Sequence, residues 1–118
     1  METRLGIIEE RFAQLLWDNV PLTTRQMVEL AEKEMNWKRT TTYTVLKKLC
    51  DRNIFNMSNR MVTACMSKEE FLAVRGEQFV EQNYNGSLPA FIAAFTSRNK
   101  VSKQDMEEIK NLIDSFEG

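Results

Sequence analysis

Apolar residues recur with the spacing of amphipathic helices in the first part of the chain. Residues 5–17 carry such a stripe, which predicts a first helix. Val20-Pro21-Leu22 predicts a connector, because proline disfavours a helical conformation in the residue before it. Thr23 and Gln26 have the spacing of a capping box, so a second helix is predicted to begin there and to end near residue 35.

A third helix is predicted over residues 40–52, after a short link. Val45, Leu46 and Leu49 form its apolar stripe, and Thr42 continues that stripe towards the N-terminus. Consecutive threonines lower the intrinsic helix propensity of the first turn. Their presence therefore favours a role for this turn in contacting something outside the protein.

The periodicity changes after the third helix. Residues 54–57 and 61–65 are short runs that predict strands, and Ser58-Asn59 between them predicts a β-hairpin. Three further helices are predicted over residues 67–84, 88–96 and 102–116, the first and last opened by capping boxes. The middle one is apolar nearly all round, so we expect most of it to be buried.

This order of elements predicts a mostly α-helical fold with a small β-hairpin. Helix, connector, capped helix, short turn, basic polar helix and hairpin together are the layout of a winged helix-turn-helix. The sequence therefore predicts a winged-helix DNA-binding domain over residues 1–66, followed by a separate helical region over residues 67–118.

Charge is distributed unevenly along a chain whose net charge is −1. Residues 1–66 carry 10 basic and 8 acidic side chains, whereas residues 67–118 carry 6 basic and 9 acidic ones. Within residues 38–60 there are 6 basic side chains and a single acidic one, Asp51. A local basic stripe in a nearly neutral protein is a better indication of nucleic-acid binding than net charge.

The composition argues against catalysis and metal binding. The chain has no His, which is the commonest general base and metal ligand, and Cys50 and Cys65 are its two thiols. We therefore predict no enzyme activity, no cofactor and no metal site, and we expect both cysteines to be small buried side chains. The absence of a long apolar segment and of a signal-peptide core predicts a cytoplasmic location.

The first turns of the third helix carry the side chains suited to reading DNA. A recognition helix enters the major groove, where each base pair presents a distinct pattern of donors and acceptors. Threonine can donate to phosphate or touch a thymine methyl group, and lysine and arginine can reach guanine or phosphate. The candidate DNA-binding residues in this segment are Lys38, Arg39, Thr40, Thr41, Tyr43, Thr44, Lys47 and Lys48.

The run from Trp37 to Leu49, with its three consecutive threonines, resembles the recognition helix of the BlaI/MecI/CopY, or penicillinase repressor, family. Leu16-Trp17-Asp18 at the end of the first helix is similar to that family too. So is Gly86-Ser87-Leu88 before an apolar helix that ends in Phe95. The resemblance covers nearly the whole chain.

This resemblance implies a homodimeric transcriptional repressor that binds a pseudo-palindromic operator of double-stranded DNA. Its winged helix would bind one operator half, and its C-terminal helices, over residues 67–118, would be a helical dimerisation domain. The family usually has a longer wing, whereas here the hairpin shrinks to residues 56–60, with Arg60 able to reach a phosphate or the minor groove. The expected interface residues are Phe79, Leu88, Phe91, Ile92, Phe95, Ile109, Leu112, Ile113 and Phe116.

The resemblance also implies a way of relieving repression. In the antibiotic-sensing branch, a membrane metalloprotease pathway leads to cleavage before a phenylalanine in the C-terminal half. The matching bond here is Ala94–Phe95, although the best-known members carry Asn where this chain has Ala94. The copper-sensing branch has a C-terminal Cys-x-Cys cluster that this chain lacks.

Alternatives to these assignments stay open from the sequence alone. A winged helix can also serve as a protein-interaction adaptor that does not bind DNA. Tyr43 suits either a DNA contact or packing within the protein, and Trp17 and Trp37 are expected to anchor the core or an interface. The helix at 88–96 could line a ligand pocket, but a subunit interface is favoured because no convergent polar groups accompany it.

Overall fold

Six helices and one small antiparallel sheet account for the computed structural model, which describes residues 1–116. The predicted fold class is confirmed, and the ends of the helices lie within about two residues of the predicted ones. In chain order the elements are α1 (Ile7–Asn19), β1 (Leu22–Thr23), α2 (Thr24–Met35), α3 (Arg39–Asp51), β2 (Phe55–Ser58), β3 (Met61–Ala64), α4 (Lys68–Tyr84), α5 (Leu88–Arg98) and α6 (Lys103–Ser115).

The sheet has one strand more than the predicted hairpin. Leu22, which was expected to be part of a connector, lies in β1 opposite Val62 of β3, and the strand order is β1-β3-β2. The β2–β3 hairpin is closed by Asn59 and Arg60, both with positive φ (52° and 61°), as a two-residue type I′ turn requires. A strand of two residues has no periodicity of its own, so only its pairing with β3 defines it.

Local interactions fix both ends of α2. The Thr23 hydroxyl accepts a hydrogen bond from the Gln26 N–H (3.1 Å), and the Gln26 side chain accepts one from the Thr23 N–H (2.8 Å), which confirms the predicted capping box. At the other end Asn36 adopts the left-handed conformation (φ 55°), and the Trp37 N–H donates to the Ala31 carbonyl. This tight ending gives the short turn that leads into α3.

Apolar side chains from α1, α2, α3, the sheet and the start of α4 form one core. Trp17 packs between the rings of Phe55 and Phe71, at centroid distances of 5.2 and 5.4 Å, and its indole N–H donates to the Met66 carbonyl. Trp37 also packs on the core, with its ring 5.0 Å from that of Phe12. The buried apolar residues are Phe12, Ala13, Leu16, Leu22, Met27, Ala31, Leu46, Leu49, Ile54, Phe55, Val62 and Phe71.

The described chain divides into two compact units within α4. The first comprises Met1–Gly76 and contains the whole core above, and the second begins at Glu77. In the second unit Phe91 of α5 packs against Phe79 and Tyr84 of α4, at ring distances of 5.8 and 5.5 Å. The expectation that most of α5 is buried is wrong for the single chain, because only the side that carries Phe91 packs on α4 and no residue of α5 is fully buried.

The expectation for the cysteines is also corrected. Cys65 follows β3 at the surface and is exposed, and Cys50 at the end of α3 is half-buried. Burial raises the pKa of the Cys50 thiol, and the nearby Cys65 and Asp51 raise it further.

The capping box of α2 generates a stability prediction. Replacing Thr23 with Ala removes one acceptor for an N–H group at the start of α2 and is expected to lower the free energy of unfolding by about 1 kcal/mol. Urea denaturation followed by tryptophan fluorescence measures this directly, since both tryptophans lie in the first unit. The control is Thr41→Ala at an exposed helical position, with an expected change of less than about 0.5 kcal/mol. Equal effects of the two substitutions would contradict the role of the cap.

Candidate nucleic-acid interface

One side of α3 is held in the core and the other faces solvent. Thr42, Leu46 and Leu49 are buried, and the Thr42 hydroxyl donates to the Lys38 carbonyl (3.0 Å), so this buried polar group has a partner within its own helix. The predicted stripe is therefore confirmed at these three positions. Because residues three or four apart share a side of a helix, Thr40, Thr44 and Lys47 project together from the opposite side.

The structure brings eight of the nine predicted DNA-binding residues together on α3 and its N-cap, and places the ninth in the β2–β3 turn. Tyr43 is half-buried: part of its side chain packs against the core and part faces solvent, and its DNA contact stays a prediction. The exposed members of the set are Lys38, Arg39, Thr40, Thr41, Thr44, Lys47, Lys48 and Arg60.

The threonine hydroxyls differ in what they can offer a ligand. The Thr44 hydroxyl donates to the Thr40 carbonyl (2.8 Å), so its proton is already engaged and the side chain presents an acceptor oxygen and a methyl group. Thr40 and Thr41 lie in the first turn of α3, where helix N–H groups and the helix dipole also favour an anion. The first turn is therefore the part of α3 best suited to donate hydrogen bonds.

The two lysines of α3 occupy different positions. Lys47 lies on the outward side and pairs with Asp51 one turn later (2.9 Å), whereas Lys48 lies on the flank beside α1 and pairs with Glu9 (3.5 Å). Glu9 also pairs with Arg52 (3.7 Å). Ion pairs at the surface contribute little stability, so a phosphate can replace the carboxylate as a partner at low cost.

A cleft of about 700 Å³ lies between the starts of α2 and α3 and the β2–β3 turn. The Arg39 guanidinium lies over the Tyr43 ring at 5.5 Å, and both residues line this cleft together with Arg60. Arg25 from the first turn of α2 lines it too and was missed by the sequence reasoning. Its position just after a capped helix start was the signal that could have found it, since the first helix of a helix-turn-helix crosses the DNA backbone while the second enters the groove.

The second unit carries a large exposed apolar surface. Of the nine predicted interface residues, Phe91 is half-buried and the other eight are exposed, with exposed fractions from 42% for Ile109 to 77% for Phe116. Met106 of α6 lies one turn before Ile109 on the same stripe, is 55% exposed, and was missed. Large exposed apolar patches are typical of sites of protein or membrane contact, and the predicted dimer interface stays a prediction.

The Ala94–Phe95 bond lies inside α5. Phe95 is half exposed and packs on Phe91 at a ring distance of 6.2 Å, and Ala94 is half-buried. A protease that binds its substrate in extended form therefore reaches this bond only when α5 opens locally.

Residues 1–116 also bear on membrane insertion and metal binding. None of the helices there is both long and apolar enough to cross a membrane. Within the same range, no three of the Cys, Asp and Glu side chains lie together in a way that could hold a metal ion.

Comparison with known proteins identifies the family. The sequence profile of the family described as penicillinase repressor matches residues 5–115. The penicillinase repressor of Bacillus licheniformis is 18% identical over 105 residues, which cover 86% of this chain and 82% of that protein. Because the family profile extends over almost the whole chain, the chain belongs to the penicillinase repressor family of DNA-binding transcriptional repressors.

Proposed function

We propose that this chain represses transcription as a homodimer in which each α3 enters the major groove of one half of a pseudo-palindromic operator. The observation that carries the proposal is the division of α3 into a buried apolar side and an exposed side rich in threonine, lysine and arginine. A helix held in this way can insert its polar side into a groove without loss of core packing.

Different parts of the exposed side are assigned different roles. Arg39, Thr40 and Thr41 are in the first turn, which in a helix-turn-helix is the part that approaches the base edges. We assign base contacts to them because arginine recognises guanine and the threonine methyl group can touch thymine. Lys47 and Lys48 lie one to two turns later and are assigned to the phosphate backbone, which positions the protein but carries no sequence information directly.

The homodimer is supported by the apolar surface of the second unit. Large exposed apolar side chains along α6 have no cover within the described chain, and a second copy offers the same surface in return. A two-fold dimer binds half-sites whose centres are about 10 base pairs or a multiple of that apart.

Substitutions on α3 test the base and backbone roles. With an operator selected from random duplexes, Lys47→Ala and Lys48→Ala are expected to weaken binding to all sequences alike, each reducing the slope of log affinity against log salt by about 0.9 per protomer. Arg39→Ala and Thr41→Ala are expected to change the preference among sequences, since a lost base contact costs about 1–3 kcal/mol of discrimination. Fluorescence anisotropy across a salt series measures both effects.

Lys68→Ala is the matched control, because Lys68 is exposed in the first unit but lies outside α3. If all four α3 variants bound the operator as Lys68→Ala does, the assignment of α3 would be wrong. A dimer that shows no affinity for DNA even below about 100 mM salt would instead support the adaptor alternative.

The dimer surface is tested by placing a charge on it. Ile109→Lys puts an ammonium group into the proposed apolar interface and is expected to shift the protein to monomers, because an unpaired buried charge is strongly unfavourable. Asn111→Lys introduces the same side chain on the opposite side of α6 and is expected to leave the dimer intact. Sedimentation equilibrium distinguishes the two, and equal oligomeric states for both variants would count against this interface.

Cleavage of the Ala94–Phe95 bond is the proposed way of relieving repression, with a membrane metalloprotease pathway as the partner that the family resemblance implies. Cleavage would separate α6 and the end of α5 from the DNA-binding unit. A chain ending at Ala94 is therefore expected to be monomeric and to bind the operator about 10²–10⁴-fold more weakly, because the two half-sites are no longer bound together. Operator affinity equal to that of the full chain would contradict this form of control.

A further inference from the structure

Three arginines from three different elements line one cleft in the first unit. Arg25 lies in the first turn of α2, Arg39 is the first residue of α3, and Arg60 is in the β2–β3 turn. Glu29 is the single acidic residue among those that line the cleft. The lining thus carries three positive charges against one negative charge, which attracts an anion.

The backbone fixes Arg60 next to the start of α2. The Arg60 carbonyl accepts a hydrogen bond from the Thr24 N–H (3.0 Å), and Thr23 of β1 lies opposite Met61 of β3. The β2–β3 turn is therefore hydrogen-bonded to α2 at Thr24, the residue that precedes Arg25. This short wing keeps Arg60 beside the helix-turn-helix.

The conformation of Arg60 points to a use for its side chain. Its φ of 61° lies in the left-handed region, where a turn of this type favours Gly, Asn or Asp. Asn59 before it follows that preference and Arg60 does not. Glycine would suit the backbone at this position better than arginine does. The presence of arginine therefore indicates a function for its guanidinium group.

The cleft continues the exposed surface of α3. Arg39 and Tyr43 belong to both, so an anion in the cleft lies next to whatever α3 contacts. Arg25 is paired with Glu29 at 3.5 Å, but both side chains are well exposed, and such a pair yields easily to a stronger partner. Arginine binds phosphate through two parallel hydrogen bonds, whereas the Arg25–Glu29 pair is one contact between Nε and Oε1 at 3.5 Å.

We propose that this cleft clamps a backbone phosphate of the DNA duplex beside the groove that α3 enters, with Arg25 and Arg60 as its dedicated phosphate ligands. The inference rests on the proposed function of α3 and adds Arg25 to the interface. It also assigns Arg60 to the same stretch of backbone as α2, and not to the neighbouring minor groove.

The experiment uses the full chain and a short duplex of mixed sequence, with anisotropy measured from about 50 to about 200 mM salt. The variants are Arg25→Ala, Arg60→Gly and the pair together. Glycine suits the left-handed turn, so Arg60→Gly is expected to unfold at the same or a higher urea concentration than the wild type. Lys33→Ala is the control, because Lys33 is an exposed basic residue of α2 outside the cleft.

The clamp predicts that each single variant reduces the salt slope by about 0.9 per protomer and that the double variant reduces it by about 1.8, whereas Lys33→Ala leaves it unchanged. If the wild type binds and all variants keep its slope, the clamp is wrong and the role of α3 stands. If the wild type does not bind the duplex at low salt, both the clamp and the proposed role of α3 in DNA binding are wrong. A different result would favour insertion of Arg60 into the minor groove and would overturn the clamp. In that case Arg60→Gly would lower the affinity by an amount that depends on the A·T content of the duplex, and Arg25→Ala would not lower it.

A second titration separates the DNA backbone from free phosphate as the source of the anion. The arginine side-chain N–H signals of the wild type are followed by NMR as inorganic phosphate is added. Shifts at Arg25 and Arg60 together with reduced salt slopes in the variants support the clamp. Such shifts with unchanged slopes would make the cleft a site for a free anion and would overturn its assignment to DNA.

Discussion

The proposed interface depends on the packing of α3 on the core through three buried side chains, those of Thr42, Leu46 and Leu49. With these three side chains buried, the rotation of α3 about its axis is set, so its exposed residues cannot turn away from solvent. The Thr42 hydroxyl is satisfied by the Lys38 carbonyl within the helix, so a threonine can occupy a buried position without a missing hydrogen bond. The same residue type serves in the core at position 42 and at the surface at positions 40, 41 and 44.

Four of the basic side chains on and around α3 already have acidic partners. Lys47 is paired with Asp51, Lys48 and Arg52 share Glu9, and Arg25 is paired with Glu29. These pairs lie at the surface, where each contributes little stability, and they neutralise part of the positive charge while no DNA is bound. When these side chains contact phosphates instead, binding depends on salt, because each neutralised phosphate releases counterions from the DNA.

The two units differ in where their apolar side chains lie. The first unit buries its aromatic residues around Trp17 and Phe12, whereas the second keeps Phe95, Ile113 and Phe116 exposed by half or more. A segment of this size has too little interior to cover all of its apolar surface, so association is the ordinary way to remove that surface from water. This is why the proposed dimer belongs to the second unit and the proposed DNA contact to the first.

Sequence periodicity and capping patterns predicted the helices and the start of α2, because these features depend on residues a few positions apart. They also predicted the exposed face of α3.

Three features were decided only by tertiary structure. Pairing with β3 made Leu22–Thr23 a strand. The hydrogen bond from the Thr24 N–H to the Arg60 carbonyl brought Arg25 and Arg60 into one cleft. The packing of α5 on α4 through Phe91 left the rest of α5 uncovered. Each of these features depends on contacts between segments that are distant in the sequence. A local pattern of residue types does not predict which distant segments come into contact.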